Sequence, residues 1–218
     1  PLTATVEAVL GSRIDRLAET DKLLLQAASV VGKEFPLSVG AQVAHISVEQ
    51  ARRSAQRLLS AEMLYQRLDV QRDNFAFRHP LVQEAAYGSL LTEQRRQLHQ
   101  GAAAALAVQF REQADEHASL IGHHWEEGGK SLFAASSYLK FALWIGARDP
   151  RNTLDSWRSV RRLLQDQPSS VEIDYMLMMA CGQIVNYAWW QGIDAAEIEP
   201  VFQQAIVLAH ELNDMRAA

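Results

Sequence analysis

The most constraining feature of this chain is a change of hydrophobic period inside one short run, Asn-Phe-Ala-Phe-Arg-His-Pro-Leu-Val-Gln-Glu-Ala-Ala-Tyr-Gly-Ser-Leu-Leu, from Asn74 to Leu91. Phe75 and Phe77 alternate with their neighbours, the signature of a half-buried strand. From Pro80 onward Leu81, Val82, Ala85, Ala86, Leu90 and Leu91 recur at the spacing of one helix face, and proline is well placed in a first helical turn. His79 therefore stands at a strand-to-helix junction. Backbone N–H groups and the positive end of the helix dipole point toward such a junction, which suits an anion such as a phosphate. A histidine beside a helix-initiating proline can equally cap the strand or fill the rim of the core, and the residues leave both readings open.

Upstream, Val6, Val9, Leu10, Ile14 and Leu17 share one face of a helix expected over Thr5 to Leu17. Thr20 is placed to cap a helix from Asp21 to Val31 that Gly32 closes. A short helix is expected from Ser38 through His45. Ser47-Val48-Glu49-Gln50 reads as a capping box opening a helix to about Met63, with Val48, Ala51, Ala55, Leu58 and Leu59 inward. Leu64 to Leu68 and Phe75 to Arg78 then read as two short strands around the polar turn Gln71-Arg72-Asp73-Asn74.

From Thr92 the pattern is helical throughout. Thr92 is placed to cap a helix to about Phe110, and Asp115 another to Glu127. Gly128-Gly129 separates the latter from Ser131 to Ala147, and further helices are expected at about 152–165, 171–190 and 194–213. Asp194 with Glu197 reads as a second capping box. Over about 34 residues from Asp115 to Arg148, Ile121, Gly122, Trp125, Gly129, Ala134 and Tyr138 fall where tetratricopeptide units place Leu, Gly, Tyr, Gly, Ala and Phe. Phe141 departs from the alanine of that pattern. The same aromatic interval recurs at Trp144 with Trp157 and at Trp189 with Phe202. Stacked tetratricopeptide-like repeats and an irregular helical bundle are the two architectures compatible with this spacing.

Composition bounds the function. Lysine plus arginine is 21 against 26 acids, net −5, so no strong positive field draws the chain to nucleic acid or anionic lipid. The balance is uneven: 10 basic and 10 acidic residues up to Thr92, then 11 basic and 16 acidic. Cys181 is the only cysteine, so no internal disulfide forms, and a reducing compartment, the cytoplasm, is expected. Among Met178, Met179 and Ile184 it reads as a packed thiol. No apolar run approaches the roughly 20 residues of a membrane span. The chain opens on Pro1, and we read it as part of a longer protein.

Sequence patterns for catalysis are not met. Gly129-Lys130-Ser131 resembles the end of a phosphate-binding P-loop, but His124 stands where the upstream glycine is required and a helix precedes it where a strand is needed. His117, His123, His124, Glu126 and Glu127 crowd one helix without the His-Glu-x-x-His spacing of a metallopeptidase; His123 and Glu127 read as a solvated pair one turn apart. No Gly-x-Ser-x-Gly elbow occurs. A non-catalytic chain is expected, with no cofactor or metal of its own.

Phe77-Arg78-His79-Pro80-Leu81-Val82-Gln83-Glu84-Ala85-Ala86-Tyr87 resembles the end of the winged-helix domain in signal-transduction ATPases with numerous domains, the STAND class. Val-Leu-Gly-Ser-Arg-Ile-Asp-Arg-Leu, Val9 to Leu17, resembles the last helix before the winged helix in the bacterial members linked to class III adenylate or guanylate cyclases. The resemblance implies a mainly α chain in three parts: residues 1–19 as the terminal helix of an ATPase module, 20–92 as a winged helix with one β-hairpin, and 93–218 as a tetratricopeptide-like superhelix. In plant disease-resistance members the matching run is Met-His-Asp-Leu, whose histidine touches the phosphates of the bound nucleotide. The corresponding position is His79, while Pro80 replaces the aspartate. The implied cofactor, ATP or ADP, belongs to the parent protein, and the implied partners are the adjacent ATPase domain and a protein or peptide on the repeats.

Arg52, Arg53 and Arg57 lie on the helix that would enter the major groove in a DNA-binding winged helix. The neutral balance of residues 1–92, with Glu49 and Glu62 on the same stretch, favours protein docking by these arginines over duplex DNA. Arg95 and Arg96 read as a solvated face or the rim of an interface. A DNA-binding regulator is the alternative reading.

Overall fold

A computed structural model describes residues 2–67 and 73–217, with the side chains of 2–7 and 214–217 outside the description. The chain is mainly helical, with one small three-stranded antiparallel sheet, and divides into two compact units, Pro1–Gln109 and Phe110–Ala218.

The first unit is built around α2 (Glu19–Val31), eight of whose 13 residues are buried. A helix covered on so much of its surface acts as a hub, and α2 packs against α3 (Leu37–Val43), α4 (Val48–Ser60), α5 (Pro80–Gly88) and α6 (Thr92–Gln109). Helix α1 (Leu2–Asp15) packs against α5. Its Ile14 is buried, but Val9 is 56% exposed, against the expectation that it faces inward. Thr20 does not cap α2: the helix begins two residues earlier than expected, at Glu19 behind Ala18, and the Thr20 hydroxyl instead lies 3.5 Å from Arg57 Nη2.

Helix α4 starts as its sequence dictates. Ser47 Oγ accepts from Gln50 N–H at 3.1 Å, and Gln50 Oε1 accepts from Ser47 N–H at 2.9 Å. Ala51, Ala55 and Leu58 are fully buried, whereas Val48, in the first turn, is 47% exposed and does not join the core. The helix ends in a Schellman turn, Met63 N–H to Leu58 C=O and Glu62 N–H to Leu59 C=O, with Glu62 in the left-handed region at φ 57°.

The sheet has the order β1-β3-β2, from β1 (Glu34–Pro36), β2 (Leu64–Gln66) and β3 (Asn74–Phe77). Leu68 and the turn residues Gln71 and Arg72 lie outside the described residues. β1 is not evident in the sequence: three residues ending in proline carry no periodicity. Pro36 is tolerated because β1 is an edge strand and the ring also initiates α3. Phe35 faces Phe75 and Phe77 at ring-centre distances of 6.2 and 6.3 Å. A Cβ on Gly40 would lie 3.0 Å from the Phe35 ring, so glycine lets α3 close over it. β3 is buried at Ala76 as well as at its two phenylalanines, so it is covered on both faces rather than half-buried.

The second unit is a run of helices in which each packs on the next: α7 (Ala118–Glu127), α8 (Ser131–Ile145), α9 (Pro150–Leu164), α10 (Val171–Trp190) and α11 (Ala195–Ala217). Asp115 does not cap α7. A 3₁₀ turn, Arg111–Gln113, intervenes and His117 takes the N-cap position. The α7–α8 corner is a Schellman turn, Lys130 N–H to Trp125 C=O and Gly129 N–H to Glu126 C=O, with Gly129 at φ +72°. That geometry makes Gly129-Lys130-Ser131 a helix-to-helix turn. Gly122 is the close-approach point: an added Cβ would lie 3.2 to 3.3 Å from Tyr138 and Ser137 on α8. Asp149 and Ser170 cap α9 and α10. Asp194 accepts from Ala196 N–H at the start of α11, while Glu197 reaches Arg158 at 3.5 Å instead of completing the box. The core joins Trp157, Leu154, Val160 and Leu164 of α9 to Leu177, Cys181 and Ile184 of α10.

Two predictions follow from this packing. Asp21, 4% exposed on α2, is held by Arg57 of α4 through Nη2 to Oδ1 at 2.6 Å and Nε to Oδ2 at 2.8 Å. Burial raises this carboxyl's pKa, but the contacts from Arg57, Ser54 and Thr20 lower it further, so the folded-state value lies below the ordinary one. A depressed value contributes stability that is fully present above about pH 4 and disappears as pH falls through the folded-state pKa. Urea unfolding followed by far-UV ellipticity should therefore lose stability more steeply between about pH 5 and 2 in the native chain than in Asp21→Asn. In the second unit, Gly122→Val forces α7 off α8 and should cost about 1–3 kcal/mol. Tryptophan fluorescence reads this unit alone, because all five tryptophans follow Phe110.

Candidate functional site

The strand-to-helix junction at His79 is assembled from the centre of the sheet outward. β3 is bonded on both sides, pairing Phe75 with Phe35 and Gln66, so the chain leaves the sheet from a fixed position. Arg78 N–H donates to Met63 C=O at 3.0 Å, and His79 follows in extended conformation at φ −139°, ψ 142°. Its carbonyl accepts from Val82 N–H at 3.0 Å, while Pro80 supplies the first helical residue.

Helix α5 is held firmly below this point. Val82 and Ala86 are buried, Gln83 Nε2 donates to Ser29 C=O at 3.1 Å, and Gln26 Nε2 donates to Ser89 Oγ at 2.9 Å. Both contacts tie α5 to α2. The Tyr87 hydroxyl lies 3.0 Å from His99 Nε2, and the Arg95 guanidinium sits 4.4 Å over the Tyr87 ring.

The start of α5 faces outward: Arg78, His79 and Pro80 are all exposed, and the His79 side chain makes no capping hydrogen bond. The ring therefore is neither a strand cap nor part of the core. An exposed imidazole beside an exposed guanidinium, at the positive end of a nine-residue helix, is an arrangement that favours an anion. Arg78 has no role assigned by the sequence motif; its place directly before the His79-Pro80 helix start puts a guanidinium at this end.

The arginines of α4 have other occupations. Arg52 Nη2 meets Asp73 Oδ2 at 2.9 Å, Arg53 Nε meets Glu49 Oε1 at 3.1 Å, and Arg57 grips Asp21. Each cation is matched by an acid of the same unit. Arg95 is half-buried at the α5–α6 corner, with Nη2 3.4 Å from Leu90 C=O, and Arg96 is exposed on α6. Arg78 and His79 are thus exposed neighbours in the chain, while the five arginines are dispersed among structural pairs and open surface.

On α7, His124 is buried, His123 is exposed, and His117 stacks on Phe110 with ring centres 3.7 Å apart. Among the described residues no group of three or more His, Cys, Asp or Glu is arranged to hold a metal ion, and no helix is long and apolar enough to cross a membrane. Comparison with known protein families, with curated proteins and with solved structures finds no match.

Cys181 is fully buried, with Sγ 3.6 Å from Gln204 Oε1, an oxygen that also accepts from Arg161 Nε at 2.8 Å. Burial pushes its thiol up in pKa, more than the Arg161 charge pulls it down. A buried, protonated thiol is inert. An aromatic disulfide reagent should leave Cys181 unmodified in the folded chain and titrate one thiol after unfolding in urea.

Proposed function

We propose that this chain is a non-catalytic regulatory part of a STAND-class signalling ATPase, in which residues 20–92 form a winged helix that senses the nucleotide held by an adjacent ATPase domain. The observation that carries this reading is the placement of His79: exposed, uncapped, and at the open N-terminus of a helix anchored from beneath. A phosphate delivered there by another domain would meet the imidazole, the Arg78 side chain and the helix dipole together. The order of three helices and a β-hairpin in the first unit supports the winged-helix reading, with β1 adding a third strand beside β3.

The second unit is read as tetratricopeptide-like repeats that take a protein or peptide signal. Gly122, Ala134 and the left-handed Gly129 serve the α7–α8 pair in the way their spacing implies, as small residues at a close approach and a helix stop. Signal binding would act on output by preferring one arrangement of the parent protein over another. The nucleotide, ATP or ADP, would be bound by the ATPase domain rather than by these residues, and a cytoplasmic setting accords with a lone buried thiol.

The alternative, duplex recognition by α4, draws less support, because Arg52, Arg53 and Arg57 each already engage a carboxylate. Releasing them would forfeit those pairs before any phosphate contact is gained.

Joined to its ATPase domain, the His79→Ala variant should retain ADP about tenfold to a hundredfold less well, the loss expected for one hydrogen bond to a charged group of about 1.5–3 kcal/mol. Nucleotide retention measured by filter binding tests this, and unchanged retention with unchanged output would remove the role assigned to His79.

A further inference from the structure

The second unit ends in an apolar cleft between the last turns of α10 and the first turns of α11, about 520 Å³ in volume, lined by Val185, Trp189, Ile193, Ile198, Phe202 and Glu199. Trp189 is 84% exposed and Phe202 44%, and Trp190 beside them is largely exposed too. Large aromatic side chains gain most from burial, so a cluster left open on one face marks a surface suited to a partner.

The same chain shows how such a face is covered. Trp125 and Tyr138, 64 residues earlier, occupy the equivalent positions of the α7–α8 pair. Both are partly buried: Trp125 packs against Phe133 with ring centres 5.1 Å apart, and the Tyr138 hydroxyl donates to Glu126 at 3.0 Å. Helix α9 packs on α8, and Arg162 of α9 reaches Glu126 at 2.7 Å. α9 is a basic amphipathic helix, burying Leu154, Trp157, Val160 and Leu164 while carrying Arg151, Arg158, Arg161 and Arg162. Where Gly122 and Ala134 allow α7 and α8 to close together, the equivalent positions hold Asn186 and Ile198. Asn186 is exposed, and Ile198, partly buried, lines the cleft.

Charge selects the occupant. No lysine or arginine occurs between Arg162 and Arg216, whereas Asp194, Glu197, Glu199 and Glu211 lie on or next to α11. Glu197 is met by Arg158 of α9, and Glu199 at the cleft accepts from the neutral amide of Gln203 at 2.7 Å, its one partner among the described residues. A cleft lined by Trp189, Phe202 and Glu199, in a stretch of sequence without lysine or arginine between Arg162 and Arg216, matches a ligand with α9's own chemistry.

We propose that this cleft docks a basic amphipathic helix from a partner protein, its apolar anchor entering between Trp189 and Phe202 and its lysines or arginines meeting Glu199. The proposal rests on reading the second unit as repeats that take a protein ligand, and it names the surface and the partner's chemistry. The test uses two synthetic 18-residue amphipathic peptides of identical apolar face, one built of leucine and lysine and one of leucine and glutamate. Calorimetric titration of the intact 218-residue chain should show binding of the lysine peptide alone, weakened at least tenfold between 50 and 300 mM salt. Trp189→Ala and Glu199→Lys, both at exposed positions, should each weaken it at least tenfold with the thermal midpoint unchanged.

Binding of the lysine peptide that ignores both substitutions would overturn this cleft while leaving a ligand-binding repeat unit in place. Binding of neither peptide would overturn the cleft as the docking site. Equal binding of both peptides would refute charge selection. Concentration-dependent dimerisation abolished by Trp189→Ala, seen by sedimentation, would make a second copy the occupant and overturn the proposal.

Discussion

The first unit depends on a helix with almost no free surface. Because α2 is buried over most of its length, a charge on it must be answered from within the fold, and Asp21 is answered by Arg57. The pair is asymmetric: the carboxylate is buried while the guanidinium stays half in water, so most of the desolvation falls on the acid. Arg57, Ser54 and Thr20 together supply the hydrogen bonds that make an ionised Asp21 tolerable there. This contact ties α4 to α2 and gives Arg57 an acid partner within its own unit.

The same hub positions the candidate site. α5 is bound to α2 near both ends, through Gln83 and through Ser89, and its buried face is small, Val82 and Ala86. A helix held by a narrow face and two polar ties can offer its N-terminus to solvent without fraying, which an anion-binding end requires. His79 gains its exposure from the extended φ and ψ that Pro80 imposes on the residue before it. The site is therefore a consequence of one proline: it starts the helix and, at the same time, turns the preceding side chain outward.

Much of this was legible because helix ends are local chemistry. Ser47 with Gln50, and Gly129, each carry their instruction within a few residues, and α10 begins and stops where its pattern does. What escaped is non-local. β1 exists because Phe35 meets Phe75 and Phe77 across about 40 residues, and no window over Glu34-Phe35-Pro36 contains that information. Val9 and Val48 fit apolar periodicities but lie where no neighbour arrives to cover them. Asp115 is a sound capping residue by type, displaced because the chain first makes a 3₁₀ turn. The junction itself was visible as a change of period, but the exposure of His79 and the internal pairing of the α4 arginines required the tertiary arrangement.

In the second unit the aromatic residues of two helix pairs meet different surroundings. At Gly122 the helices α7 and α8 approach until a single Cβ would crowd Tyr138, and the aromatic residues there are drawn into packing. α9 then completes the closure by combining apolar burial with arginines that reach acids or amides on both sides, Glu126 of α7 and Glu197 and Gln204 of α11. α10 and α11 repeat the aromatic spacing, and there Trp189 and Phe202 are exposed. The two pairs share an aromatic spacing but differ at the positions of Gly122 and Ala134, where α10 and α11 carry Asn186 and Ile198. The contrast is one of exposure and charge: the basic helix α9 lies against α8, whereas the exposed Trp189 and Phe202 stand beside Glu199.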